Sequence, residues 1–127
     1  MATRPSFTSG DIFTAVNANI LATSIVALNT QAGTAYTAAL TDVGTLINFT
    51  SGTAVAFTIP ANATVAFSVG DQINIYQAGT AQVTITPAAT VTVRSSGTKL
   101  KTKDQFSVAT CIKIDTNEWI ALGNLSA

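Results

Sequence analysis

Few side chains in this 127-residue chain can do chemistry, and their spacing gives them little to do together. The carboxylates are Asp11, Asp42, Asp71, Asp104, Asp115 and Glu118, and there is no histidine. Without imidazole the chain lacks the commonest general base, the commonest metal ligand and the base of any Ser or Cys triad. Asp115 and Glu118 flank one expected hairpin turn, where a carboxylate pair or a calcium site can form. No further oxygen ligands cluster around them. Most of the other acids stand beside Gly, Asn or Lys at turns, where Asp bonds its own backbone. No phosphate loop or dinucleotide fingerprint occurs. These residues predict a protein that is not an enzyme, with no metal and no cofactor.

The one charge cluster is Lys99–Leu100–Lys101–Thr102–Lys103. In an extended segment its alternate spacing puts all three lysines on one side. That row suits contact with an acidic partner, a capsid surface or an anionic glycan. It better suits an edge strand guarded against aggregation. Tyr36, Tyr76 and Trp119 can stack on sugar rings, and each also falls where a core or interface aromatic belongs. Cys111 is the only cysteine, so no internal disulfide forms, and its apolar neighbours predict a buried thiol.

Two kinds of element must position these groups. Up to about residue 33 the chain is rich in Ala, Asn, Ile and Leu. Thr14 is placed to cap a helix, with Val16, Ile20 and Leu21 at helical spacing and Ile25 and Leu28 continuing the stripe. Three Asn and several β-branched residues make this a weak helix that needs a partner surface. From residue 34 to 127 the apolar period changes to two. Segments at Tyr36–Ala39, Thr45–Thr50, Ala54–Ile59, Gln72–Gln77, Gln82–Thr86, Thr90–Arg94, Gln105–Ile114 and Glu118–Leu122 alternate between Gly-, Asp- and Asn-bearing turns. About eight short strands joined this way predict an all-β domain, an antiparallel, jelly-roll-like β-sandwich carrying a short, partly helical N-terminal arm.

Composition bears on the surface. Only 9% of residues are charged, against about 25% in a typical soluble protein, and the net charge is zero. A 13.0 kDa monomer exposes roughly 6,300 Å², about one charge per 500 Å² here. So sparse a surface predicts burial of much of it in an oligomer or against a larger particle. Small neutral residues such as Ala56, Thr58, Thr84, Thr92 and Ala109, opposite the large apolar ones, are expected on the outer faces, where another surface can approach without desolvating charge. Zero net charge disfavours nucleic acid. The apolar runs are too short for a membrane span, and no secretory signal is seen at the start, so synthesis in a cytoplasm is expected.

Two stretches add a resemblance. Phe7–Thr8–Ser9–Gly10–Asp11–Ile12–Phe13–Thr14–Ala15–Val16–Asn17 resembles a segment found near the start of bacteriophage tail-fibre and other virion proteins, with Phe13 where that family more often has Leu. Roughly residues 35–123 resemble a β-domain of phage fibres and small capsid-associated proteins. The shared features are Tyr36 with Leu40–Thr41–Asp42–Val43–Gly44, Phe57–Thr58–Ile59–Pro60, Val69–Gly70–Asp71–Gln72–Ile73, the run from Gln77 to Ile85, the Lys113 strand and Trp119–Ile120–Ala121–Leu122–Gly123. The resemblance implies virion assembly and a homotrimer, made in the host cytoplasm, with the major capsid protein or another virion protein as partner. The chain's length then favours a capsid decoration (cement) protein or short head fibre over a tail fibre. In that reading Phe7, Ile12, Phe13, Val16, Ile20 and Leu21 of the arm are the assembly and anchor contacts. Lys99, Lys101, Lys103 and Trp119 are the partner contacts. The rival is a small fibre that recognises a host glycan; a bacterial adhesin or surface-layer subunit is disfavoured by the missing signal.

Overall fold

The structure is a computed structural model that describes residues 27–127. Eleven strands form two facing sheets: β1 (Leu28–Gln31), β2 (Ala35–Thr37), β3 (Leu46–Phe49), β4 (Val55–Ile59), β5 (Gln72–Gln77), β6 (Val83–Pro87), β7 (Thr92–Ser95), β8 (Lys101–Thr102), β9 (Val108–Asp115), β10 (Glu118–Gly123) and β11 (Leu125–Ser126). One sheet has six strands in the order β1-β3-β5-β9-β10-β7, the other five in the order β11-β8-β6-β4-β2. The chain is all-β, as its period-two patterning predicts.

The antiparallel jelly roll is not met. From β1 to β6 the chain alternates between the sheets, so like strands stack in parallel, β1 on β3 on β5 and β2 on β4 on β6. Leu28, Leu46 and Asn74 thus occupy equivalent positions in three successive coils. Antiparallel pairing enters only where β9 and β8 join, and β7 lies parallel to β10 at the far edge. The physical reason lies in the short loops. Those at 32–34, 50–54 and 78–82 arch across the core instead of folding back as hairpins, and they bond to the coil below. Thr50 N–H donates to the Gln31 carbonyl at 3.0 Å, and the Ala78 and Gly79 N–H groups both donate to the Phe49 carbonyl. Gly79 is required there, since a Cβ on it would stand 2.2 Å from the Ser51 carbonyl oxygen.

All eight expected strands are found. Three short ones, β1, β8 and β11, are additional. Because β1 is the edge strand of the six-stranded sheet, the β-domain begins by Leu28 and not at residue 34. The expected helix falls largely on residues outside those described, and its last member, Leu28, is strand.

The core lies between the sheets. Ile47, Phe49, Ile73 and Ile75 face Val55, Phe57, Ile59, Val83 and Ile85, all 0–2% exposed. Phe49 and Phe57 pack with ring centres 5.8 Å apart, and Tyr36 stacks on Phe57. Toward the other end Trp119 meets Phe67 edge-on at 5.2 Å. Most of the buried polar groups have partners; among the described residues Asn48 Oδ1 and Ser95 Oγ do not. Thr102, beneath the β6 strand, donates to the Gln77 side chain and accepts from the Val83 N–H. The Lys113 ammonium, on a residue 2% exposed, donates to Asn62 Oδ1 (2.6 Å) and the Phe67 carbonyl (2.7 Å).

Cys111 is fully buried as expected, and burial pushes its thiol up from 9.0 to about 12. The fold therefore favours the protonated thiol, and that stability is complete below pH 9 and lost as pH rises from 9 to 12. Over that span the loss approaches about 4 kcal/mol. Urea melts at pH 8 and pH 11 should show wild type losing more stability than Cys111→Ala; equal losses would contradict the assignment. Tyr36 acts in the same sense, its phenol raised by desolvation and by its hydrogen bond to Asp42.

Candidate functional site

The ionisable groups are dispersed and locally engaged. Arg94 pairs with Glu118 at one corner of the six-stranded sheet. Asp71 accepts from the Ser68 N–H and Asp115 from the Thr116 N–H, both turn interactions. Asp115 and Glu118 sit opposite each other across the β9–β10 hairpin, but Glu118 is committed to Arg94. Asp42, 1% exposed, accepts from Tyr36 OH (2.7 Å), Asn29 Nδ2 (2.9 Å) and the Ala39 N–H (2.8 Å). These bonds tie β1, β2 and the following 3₁₀ turn together. Among the described residues no three His, Cys, Asp or Glu side chains converge as metal ligands. A half-open depression lined by Ser95, Ser96, Lys99, Leu122, Gly123 and Leu125 holds one ionisable group, the lysine.

Of the expected partner contacts, Lys99, Lys101 and Lys103 are exposed, with Thr102 buried and Leu100 half-buried between them, so the three lysines do share one side. They do not guard an edge, because β8 lies between β6 and β11. Trp119 is a correction. At 1% exposure it is a core residue, and no partner or sugar can stack on it. The expected anchor residues Phe7, Ile12, Phe13, Val16, Ile20 and Leu21 lie outside the described residues.

The feature that reading motifs missed is the outer face of the six-stranded sheet. Strand β9 is turned against expectation. Its small or polar residues Ala109, Cys111 and Lys113 point inward, while Val108, Thr110, Ile112 and Ile114 point out. The expected outward Ala109 is thus 1% exposed. The register explains the inversion. Trp119 lies opposite Lys113 and Ala121 opposite Cys111, so the pairing with inward-facing Trp119 and Ala121 turns Lys113 and Cys111 inward as well. Across the sheet the outward residues then align in rows. One runs Leu28, Leu46, Asn74, Thr110, Leu122; the next Thr30, Asn48, Tyr76, Val108; the third Gln72, Ile112, Ile120, Arg94. Leu28 is 63% exposed, Leu122 50%, and Val108 and Ile114 42% each. The charges on these strands gather at the β9–β10 hairpin end, where Glu118 pairs with Arg94 and lies opposite the exposed Asp115. The five-stranded sheet is different outside, with Ala35, Ala56 and Thr84 aligned with Lys101, beside a row of Thr37, Thr58 and Thr86.

What this arrangement can do is bind another surface. Broad apolar faces on folded domains mark interaction sites, because solvent-facing strands ordinarily alternate apolar-in and polar-out. Among the described residues no helix is long and apolar enough to cross a membrane. Comparison of the chain with protein-family models, with curated proteins and with solved structures finds no match in any of the three.

Proposed function

We propose that the chain is a non-catalytic structural protein of a bacteriophage virion, a capsid decoration (cement) or head-fibre protein that works as a homotrimer on the capsid surface and stabilises it. The observation that carries the assembly role is the outer face of the six-stranded sheet, with Val108, Ile112, Ile114, Ile120 and Leu122 turned to the outside while Ala109, Cys111 and Lys113 are turned in. The resemblance of residues 7–17 and 35–123 to phage virion proteins supports the virion and the trimer. The exposed Lys99, Lys101 and Lys103, at and beside β8 of the other sheet, form a row suited to an acidic capsid protein. The glycan-binding alternative is weakened by the burial of Trp119 and by the engagement of Tyr36 with Asp42, which leaves Tyr76 as its stacking residue.

Co-sedimentation of the purified full-length protein with capsids that lack it tests the placement. Saturable binding is expected, together with greater resistance of the loaded capsids to heat. Reversing all three lysines to Glu should weaken that binding at least tenfold while the protein's own melt stays unchanged. Absence of co-sedimentation by the wild-type protein would overturn the capsid assignment.

A further inference from the structure

The stretch from Lys99 to Phe106 sets three lysines against one aspartate, Asp104, and ends in an exposed aromatic. All three lysines are exposed, and among the described residues none has a carboxylate within ion-pair distance. Guarding an edge does not account for them, because β11 pairs with the outer side of β8. The row is also firmly placed. Thr102 in its middle is fully buried, donates to the Gln77 side chain and accepts from the Val83 N–H. Like charges about 7 Å apart along a strand repel one another, a cost that folding alone gives no reason to carry.

Phe106 adds an independent observation. Ser107 N–H donates to the Asp104 carbonyl at 3.1 Å and closes a four-residue turn with Phe106 at its third position. Its φ there is +73°, a conformation that such a turn ordinarily gives to Gly. The ring is nevertheless 66% exposed. Three more bonds lock the turn. Asp104 N–H donates to Ser107 Oγ (2.9 Å), Phe106 N–H to the Gln77 carbonyl (2.7 Å) and the Gln105 amide to the Ala78 carbonyl (3.0 Å). A rigid turn that holds a bulky ring in a costly conformation, and holds it in water, is not explained by folding. Among the described residues three without the freedom of Gly have positive φ, Thr90, Thr98 and Phe106, and the last two bracket the lysine row.

We propose that Lys99, Lys101, Lys103 and Phe106 form one contact surface, and that its partner is an acidic segment of a capsid protein with an apolar pocket for the phenyl ring. The inference rests on the capsid-binding role and names the contact that performs it. Charge sets the partner's sign, since three lysines and one aspartate attract carboxylates and repel a basic surface. Phe106 supplies the anchor. Its backbone is already ordered, so little freedom is lost on binding, and a buried aromatic is the kind of residue that carries interface energy. An anionic bilayer fits less well, because its hold grows with apolar area and one ring provides little.

Co-sedimentation of the full-length protein with capsids that lack it, titrated at low and at high ionic strength, tests this. Phe106→Gly should raise the dissociation constant at least tenfold at both. The free protein's melting temperature should stay the same or rise, because Gly relieves the turn. Phe106→Trp should keep most of the binding. Replacing the three lysines by Gln should remove most of the salt dependence, which Phe106→Gly leaves intact. Failure of the wild-type protein to bind would overturn the capsid role itself. Wild-type binding that Phe106→Gly leaves unchanged would overturn this inference alone. So would a melting temperature lowered by Phe106→Gly, which assigns the ring to the chain's own fold. Binding to phosphatidylglycerol vesicles that Phe106→Gly abolishes, with capsid binding unchanged, would assign the surface to a membrane and overturn it as well.

Discussion

Replacing Trp119 by Ala should cost about 3–5 kcal/mol of folding stability, the range for emptying a large aromatic site in a packed core. For a domain of this size that corresponds to a fall of about 15–30 °C in melting temperature. The indole lies between the sheets at 1% exposure, edge-on to Phe67, and across the β9–β10 pair from Lys113. Its cross-strand partner Lys113 is held by Asn62 Oδ1 and the Phe67 carbonyl and is not free to close the cavity. Trp119→Phe should lose less, because the ring keeps part of the volume. Differential scanning calorimetry of the two variants decides the matter. An unchanged melting temperature for Trp119→Ala is the behaviour of a surface stacking residue and would contradict the core assignment.

Asp42 should show a comparable effect through hydrogen bonding instead of volume. In Asp42→Ala the Tyr36 hydroxyl, the Asn29 amide and the Ala39 N–H lose their shared acceptor. Each buried donor left unsatisfied costs about 1–3 kcal/mol, so a combined loss of about 3–5 kcal/mol is expected after partial access to water. Asp42→Asn keeps the shape and one acceptor oxygen, and should lose only about 1–2 kcal/mol. Urea unfolding at neutral pH separates the two. Equal, small losses for both variants would mean that the carboxylate is not what joins β1, β2 and the 3₁₀ turn. Because these residues form the first coil, Asp42→Ala should also speed amide exchange in β1 and β2 more than in β9 and β10.

How far the sequence reveals the fold depends on which interaction decides each feature. Period two is a property of the single strand, so Val55–Phe57–Ile59 and Ile73–Ile75 declare both their strands and their inward faces. Pairing is a property of two strands, and a three- or five-residue loop is compatible with a hairpin or an arch. Only the stacking of those loops, with Gly79 against Ser51, selects the parallel coils, and that contact joins residues far apart in the chain. Strands β8 and β11 are too short for any periodicity to register. In β9 the pattern itself misleads, since Ile112 and Ile114 look like core residues. The inversion follows from the register with β10, which pairs Lys113 with Trp119 and Cys111 with Ala121 and is invisible within β9.

The surface is legible in the same uneven way. The scarcity of charge points to a covered surface, yet it does not say which face is covered. Aromatic content suggests Trp119 as a contact, whereas among the described residues the exposed aromatic is Phe106, held by a loop whose left-handed turn carries no Gly to announce it. Alternation is enough to put Lys99, Lys101 and Lys103 on one exposed side, but not to tell that β11 covers the edge beyond β8.

The most direct test of the central claim is quantitative mass spectrometry of purified phage particles, with copies of this chain counted against the major capsid protein. The account predicts hundreds of copies per particle, in multiples of three, retained through gradient purification. Absence from the particle would contradict the virion assignment, and a handful of copies confined to tails would contradict its placement on the capsid.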